Sequence, residues 1–219
     1  MKFTLTRQNA AIVAVDKPAG MLSVASRMPD QDPRPCLHTE LEKVLGQKIW
    51  PVHRLDFEVS GLILFAKTPD AHRAASMAFE SRAVRKFYEA FTAGMAPPTP
   101  EARWESKILR GKKRAYETPH GKSSITLAHY LGERTVANTT ALHWEIEPLT
   151  GRGHQIRFHL SHNGYPIVGD SLYGSKIAIR ADTIALRARK LEFTDPSAAA
   201  AMGLQPNESL AVPALELET

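Results

Sequence analysis

The stretch His53-Arg54-Leu55-Asp56-Phe57-Glu58-Val59-Ser60-Gly61-Leu62-Ile63-Leu64-Phe65-Ala66-Lys67 decides how this chain folds. Six consecutive residues, Gly61 to Ala66, carry no polar side chain. A strand with one face in water alternates apolar and polar residues. An unbroken apolar run of this length suits a strand covered on both faces. Asp56 stands just ahead of the run. An ionised carboxylate beside a buried strand is costly unless it is paired or used, so the reading turns on what Asp56 does and which cation holds it charged.

Outward from this stretch the punctuation is local. Upstream, Ala11 to Val15 reads as a strand, broken by Asp16-Lys17-Pro18-Ala19-Gly20. Residues 27–35 hold three prolines and two aspartates and are read as a loop. Leu37, Leu41, Val44 and Leu45 follow helical spacing, with Gly46 as the stop. Downstream, Thr68-Pro69-Asp70 is a helix start: a capping hydroxyl, proline at the first position and an acid in the first turn. That helix is predicted to end near Arg82. Arg85 to Phe91 reads as a strand, and Ala96-Pro97-Pro98-Thr99-Pro100 as a break between two lobes of one domain spanning 1–219. Residues 101–123 are polar and read as irregular.

Leu142 to Ile146 alternates as a strand, and Thr150-Gly151-Arg152-Gly153 turns the chain. His154 to His162 is predicted helical with a stop at Asn163-Gly164, and Ile184 to Phe193 is predicted to be a strand. From Pro196 the chain is Ala-rich and then acidic, and residues 196–219 are read as a peripheral tail. Strands and helices interleave without a regular βαβ rhythm, which points to a mixed α+β sheet.

Bulk properties narrow the function classes. A formal charge of +5 favours a polyanionic partner such as nucleic acid. The single cysteine, Cys36, permits neither an internal disulfide nor a Cys-based zinc site, and suits a reducing compartment. The N-terminus has no signal-peptide core and no segment approaches a membrane span, so a cytoplasmic protein with no membrane contact is expected. Phosphate-loop motifs of the GxxxxGK[ST] and GxGxxG types are lacking.

Four constellations carry chemistry. A single carboxylate must be ionised and aimed, and a guanidinium does both. The candidates for Asp56 are Arg54, Arg152 and Arg157; the competing reading is a structural Arg–Asp staple. Next, in Gly151-Arg152-Gly153-His154-Gln155-Ile156-Arg157-Phe158-His159, helical spacing gives one stripe of His154 and Arg157 and another of Gln155 and His159. Such stripes suit anions or base edges, although an exposed helix face would look the same. His154, His159 and His162 lack the spacing of a metal site, and none is assigned. Third, Lys86 and Tyr88 share a strand face, where a tyrosine beside cations suits stacking on a nucleobase; a core tyrosine is the alternative. Fourth, Arg110-Gly111-Lys112-Lys113-Arg114 suits phosphate contact in a basic chain.

Together these segments resemble the RluA-type pseudouridine synthases. The landmarks run in order: Asp16 to Val24; His53-Arg54-Leu55-Asp56 with Ser60-Gly61-Leu62 and Ala66-Lys67-Thr68; Lys86 to Ala90; Thr150 to His159; and Pro166-Ile167-Val168-Gly169-Asp170 with Tyr173-Gly174. The resemblance implies a mixed, largely antiparallel sheet split by a central catalytic cleft, with helices packed outside. It implies an RNA uridine isomerase that uses no cofactor. The S4-type RNA-binding module that many relatives carry is not expected in this chain, which reads as a standalone catalytic domain.

The implied roles fall residue by residue. Asp56 is the catalytic aspartate, and Arg157 the arginine that pairs with it. Tyr88 stacks on the uracil and helps deprotonate C5, with Leu186 on the other side of the base. Arg54 enters the RNA stack. Arg152, His154, Gln155, Lys112, Lys113 and Arg114 contact RNA. Three routes stay open to Asp56: attack at C6, attack at C1′, or removal of a proton from C2′. The partner expected is a structured RNA stem-loop, ribosomal or transfer, bound by a monomer. The alternative is a non-catalytic RNA-binding protein on the same fold. The chain departs from the family pattern at Phe57-Glu58-Val59 and at Arg187, which alters packing or RNA contact beside Asp56.

Overall fold

A computed structural model describes residues 3–26, 28, 31–136 and 138–215. The fold is α+β, a mixed and mostly antiparallel sheet with few helices. Contacts divide it into two compact units, 1–85 with 188–213, and 86–187 with 214–219. Among the described residues, no helix is long and apolar enough to cross a membrane.

In the first unit, β1 (Thr4–Gln8), β2 (Ile12–Lys17), β4 (Ser60–Ala66) and β10 (Leu186–Phe193) lie in that order. The short β3 (Trp50–Pro51) pairs with β4, and β11 (Ser209–Ala211) with β10. Every residue of β4 is buried, as the unbroken apolar run requires. One face, carrying Leu62, Leu64 and Ala66, packs with Ile12, Ala14, Leu191 and Phe193 under α2 (Pro69–Glu80) and α4 (Pro196–Ala201). Ala71, Ala75 and Ala78 are buried on one face of α2, where small side chains permit close approach. Toward the other face, α1 (Leu37–Leu45) stacks His38 on Phe65 with ring centroids 5.8 Å apart. The predicted helix ends are present. The Thr68 side chain accepts the Ala71 N–H at 3.2 Å, and Gly46 closes α1 in the left-handed conformation.

The second unit orders its strands β5 (Val84–Thr92), β9 (Thr139–Pro148), β8 (Lys122–Val136), β6 (Glu101–Arg110) and β7 (Ala115–Glu117), with α3 (Gln155–His162) packed on them. The first two residues of β5 count with the first unit, and the first two of β10 with the second.

Three expectations are corrected. Residues 101–123 are not irregular: β6 and β7 form a hairpin that pairs onto β8. Glu101, Arg103, Glu105 and Lys107 are exposed, while Ala102, Trp104 and Ser106 are partly covered and Ile108 is buried. An alanine and a serine on the inward face gave the alternation little hydrophobic contrast. The break at 96–100 is a loop inside the second unit, and the division falls at 85/86 and 187/188. Nor is 196–213 a peripheral tail, because Ala199, Met202, Leu204, Leu210 and Val212 lie in the first unit's core. The acidic end at 216–219 lies outside the described residues.

Candidate active site

Asp56 sits in the loop entering β4, and that loop is tied to the loop leaving β2. The strands pair with Lys17 opposite Gly61, so both loops emerge at one end. Ser23 Oγ donates to the Leu55 carbonyl at 2.8 Å and accepts the Leu55 N–H at 3.0 Å. The Gly20 N–H donates to the Phe57 carbonyl at 2.9 Å. Both neighbours of Asp56 are thus held at the backbone by the Asp16–Val24 segment, and the Val59 N–H closes onto the Asp56 carbonyl at 3.2 Å.

Lys17 completes this arrangement. Its side chain is fully buried, and Nζ donates to the carbonyls of Met21 at 2.7 Å, Pro18 at 3.0 Å and Phe57 at 3.4 Å. Burial pushes the ammonium down to about 7, against the attraction of the Asp56 and Glu58 carboxylates. His53 is turned inward. Its Nε2 accepts the Leu64 N–H at 3.1 Å and its ring stacks on Phe79 at 4.9 Å. Arg54 beside it is exposed, and Asp56 is partly buried.

The second unit holds Tyr88, Arg157, Leu186, Arg152, His154, Gln155, Lys112, Lys113 and Arg114. Tyr88 lies on β5, partly exposed and paired with Ile146 on β9; Leu186 opens β10 and is buried. Arg157 is buried on α3 and forms a bidentate pair with Asp170, Nε to Oδ2 at 2.6 Å and Nη2 to Oδ1 at 2.8 Å. The Tyr173 ring lies 5.2 Å from the guanidinium carbon. Tyr173 Oη in turn accepts the Ala115 N–H at 2.6 Å and is hydrogen-bonded to His154 Nδ1 at 3.1 Å.

Gln155, expected at an RNA contact, turns inward. It is buried, and its Oε1 accepts Thr150 Oγ1 at 2.7 Å and the Arg152 N–H at 3.1 Å. Its Nε2 donates to the Ile125 carbonyl at 2.9 Å and Thr126 Oγ1 at 3.0 Å. A glutamine with four internal bonds shapes the Thr150–Gly153 turn instead of reading a ligand. His159 is similarly internal, with Nδ1 on Thr126 Oγ1 at 2.7 Å and Nε2 on Ser106 Oγ at 2.8 Å. Gln155 to Leu160 are all buried, so α3 is not an exposed polar face.

The basic turn is on the surface. Lys112, Lys113 and Arg114 are exposed at the β6–β7 turn. Arg110 Nη2 is hydrogen-bonded to His154 Nε2 at 3.1 Å, which draws that hairpin toward the start of α3. Arg152 Nε donates to the Ser123 carbonyl at 3.1 Å. Among the described residues, no group of three His, Cys, Asp or Glu could hold a metal ion.

Comparison with known proteins gives these features a context. Residues 11–162 match the family model described as RNA pseudouridylate synthase. The chain belongs to the RNA pseudouridylate synthase family. It is 34% identical over 197 residues to the dual-specificity RNA pseudouridine synthase RluA of Vibrio vulnificus, covering 84% of this chain and 75% of that one. It is 30% identical over 206 residues to tRNA pseudouridine synthase C of the same organism, covering 86% and 84%. The fold is shared with human RNA pseudouridylate synthase domain containing 1, at TM-score 0.76 and 22% identity, covering 96% of this chain and 83% of that one.

This pseudouridine synthase therefore carries an isomerase activity on RNA. The match takes in Asp56, Tyr88 and Arg157. Residue-type reasoning missed Lys17 as a fixing point of the Asp56 loop, and Asp170 and Tyr173 as the setting of Arg157. All three lay inside quoted motifs, but a motif does not say which atoms meet.

Proposed function

We propose that this synthase isomerises specific uridines in ribosomal or transfer RNA, with Asp56 as the catalytic carboxylate. Its relatives' names include a dual-specificity enzyme, a tRNA enzyme and a ribosomal large subunit enzyme, which supports those two RNA classes. The observation that carries the reading is the loop at Asp56. The Gly20 N–H and the Ser23 hydroxyl hold the backbone on either side of it, and the buried Lys17 ammonium adds a third tie. Chemistry by one carboxylate depends on such fixed placement.

The reaction breaks the N1–C1′ bond of uridine and joins C5 to C1′. The proton lost from C5 is matched by one gained at N1, so no redox partner is needed. A base within a stem cannot turn over and must be extruded, at a cost of a few kcal/mol. Stacking on Tyr88, worth roughly 1–3 kcal/mol, offsets part of that cost, with Leu186 as the base's second apolar contact. Arg54 is the residue that enters the vacated stack. Arg157 serves as the family's catalytic arginine, its guanidinium plane set by Asp170. Lys112, Lys113, Arg114, Arg152 and His154 carry phosphate contacts of a stem-loop bound by a single copy of the chain, in the cytoplasm.

Site-resolved pseudouridine mapping of total RNA, from cells with and without the gene, tests this reading. Loss at one or a few uridines, restored by the wild-type gene and not by Asp56→Ala, is the expected outcome. Equal restoration by Asp56→Ala would remove the role of Asp56. An unchanged map would favour the non-catalytic RNA-binding reading.

A further inference from the structure

Phe57 follows Asp56 directly. Its ring lies against Arg34, whose guanidinium carbon is 5.1 Å from the ring centroid. Arg34 is also held along its edge by Asp32, with Nε to Oδ1 at 2.8 Å and Nη2 to Oδ2 at 2.7 Å. The Arg34 backbone N–H donates to the same Oδ1 at 3.2 Å. The Phe57 backbone is itself fixed by the Gly20 N–H and Lys17 Nζ. Arg34 is therefore locked between a clamped carboxylate and an aromatic ring whose main chain does not move independently of Asp56. Its side chain nevertheless remains 48% exposed, while that of Asp32 is 14% exposed.

An arginine that meets RNA for its charge alone is ordinarily a long, mobile side chain on an exposed surface. Arg34 differs in two ways. Two contacts have already removed most of its rotamer freedom, so little is left to lose on binding. Asp32 also offsets its charge with a bidentate bond, which leaves a planar surface as its main offering. A neutralised, planar, half-exposed guanidinium is a weak phosphate clamp and a good stacking surface for an unpaired base.

We propose that Arg34, held at its edge by Asp32 and against the ring of Phe57, is a specificity-determining contact that stacks on an unpaired nucleobase flanking the target uridine. This rests on the uridine-isomerase reading above. The ring of Phe57 supports Arg34, and Arg34 selects the RNA loop presented to Asp56.

The test uses RNA from cells lacking the gene, which keeps every natural target unmodified, and measures initial rates of pseudouridine formation at each site. Arg34→Lys keeps the charge and loses the plane; it is expected to lower kcat/KM by about tenfold and to do so unequally among sites. Arg34→Gln is expected to leave the salt dependence of kcat/KM at the wild-type slope. Phe57→Leu should reproduce the Arg34→Lys loss, and the double variant should add nothing further, because the two act as one unit. Melting temperatures should stay near wild type.

Wild-type rates and site preferences in Arg34→Lys would overturn the proposal. So would a salt slope in Arg34→Gln lower by about one phosphate contact. An equal loss at every site together with a lowered melting temperature would reduce Arg34 to a structural tie, and Phe57→Leu with wild-type kinetics would break the pairing. If wild-type protein formed no pseudouridine, the isomerase reading itself would fall; activity with wild-type behaviour in the variants would sink this inference alone.

Discussion

Arg157 and Asp170 form a bidentate ion pair inside the protein, with side chains only 2% and 1% exposed. Both charges have left water, and their two parallel bonds at 2.6 and 2.8 Å are what makes that tolerable. Removing one partner leaves the other as a buried charge without its fork. Asp170→Ala is expected to cost about 3–5 kcal/mol in urea denaturation. Asp170→Asn, which keeps the shape and loses the charge, should cost less while still lowering activity by disordering the Arg157 plane. A stability loss below about 1 kcal/mol for Asp170→Ala would show that the pair is not holding Arg157.

Gly61 stands where no side chain fits. Its φ is +113°, and a Cβ built there would overlap the Ala188 backbone carbonyl. The obstacle is backbone and cannot rotate away, so Gly61→Ala must distort the start of β4 next to the Asp56 loop. A loss of about 3 kcal/mol or more is expected, with activity falling alongside. Soluble Gly61→Ala of wild-type melting temperature would contradict this geometry.

Lys17 links stability to alkaline pH. In the unfolded chain its ammonium keeps the proton up to about 10.5, and in the folded protein burial lowers that value to about 7. Between those values the unfolded state binds more protons, so stability rises with pH across the window and is flat from this group below it. Measured against Lys17→Met, which lacks the titration, wild-type stability should gain from pH 7 to pH 10. A constant difference between the two proteins over that range would refute the linkage.

His159 acts at the acid end. Burial, with a smaller contribution from His162, pushes its imidazole down to about 4 from an ordinary value of 6.5. Between 6.5 and 4 the unfolded chain takes up the proton first, so stability is lost as pH falls through that window. His159→Gln should show a shallower acid loss than wild type in denaturant titrations at stepped pH. Identical acid profiles would mean that burial does not keep the ring neutral.

Much of the local structure was legible because its signals are local. The Thr68-Pro69-Asp70 start, the Gly46 stop and the apolar run of β4 each depend on a few adjacent residues, and each appears where periodicity and capping place it. The β6–β7 hairpin was not legible. Its inward face includes Ala102 and Ser106, and Ser106 is satisfied by His159, a residue 53 positions away. The helix α3 is legible from its spacing, but the burial of its polar residues is not, since buried Gln155 and His159 look the same in sequence as exposed ones.

Motif order, residue type and short-range spacing suffice for the family, the α+β class and the burial of both faces of β4. It takes the folded chain to show that Asp170 grips Arg157, that Lys17 and Ser23 brace the loop of Asp56, that Arg34 lies on Phe57, and that 196–213 joins the core. The physical reason is range. Hydrogen bonds and ion pairs act over a few ångströms in space, and separation along the chain does not say which groups come that close.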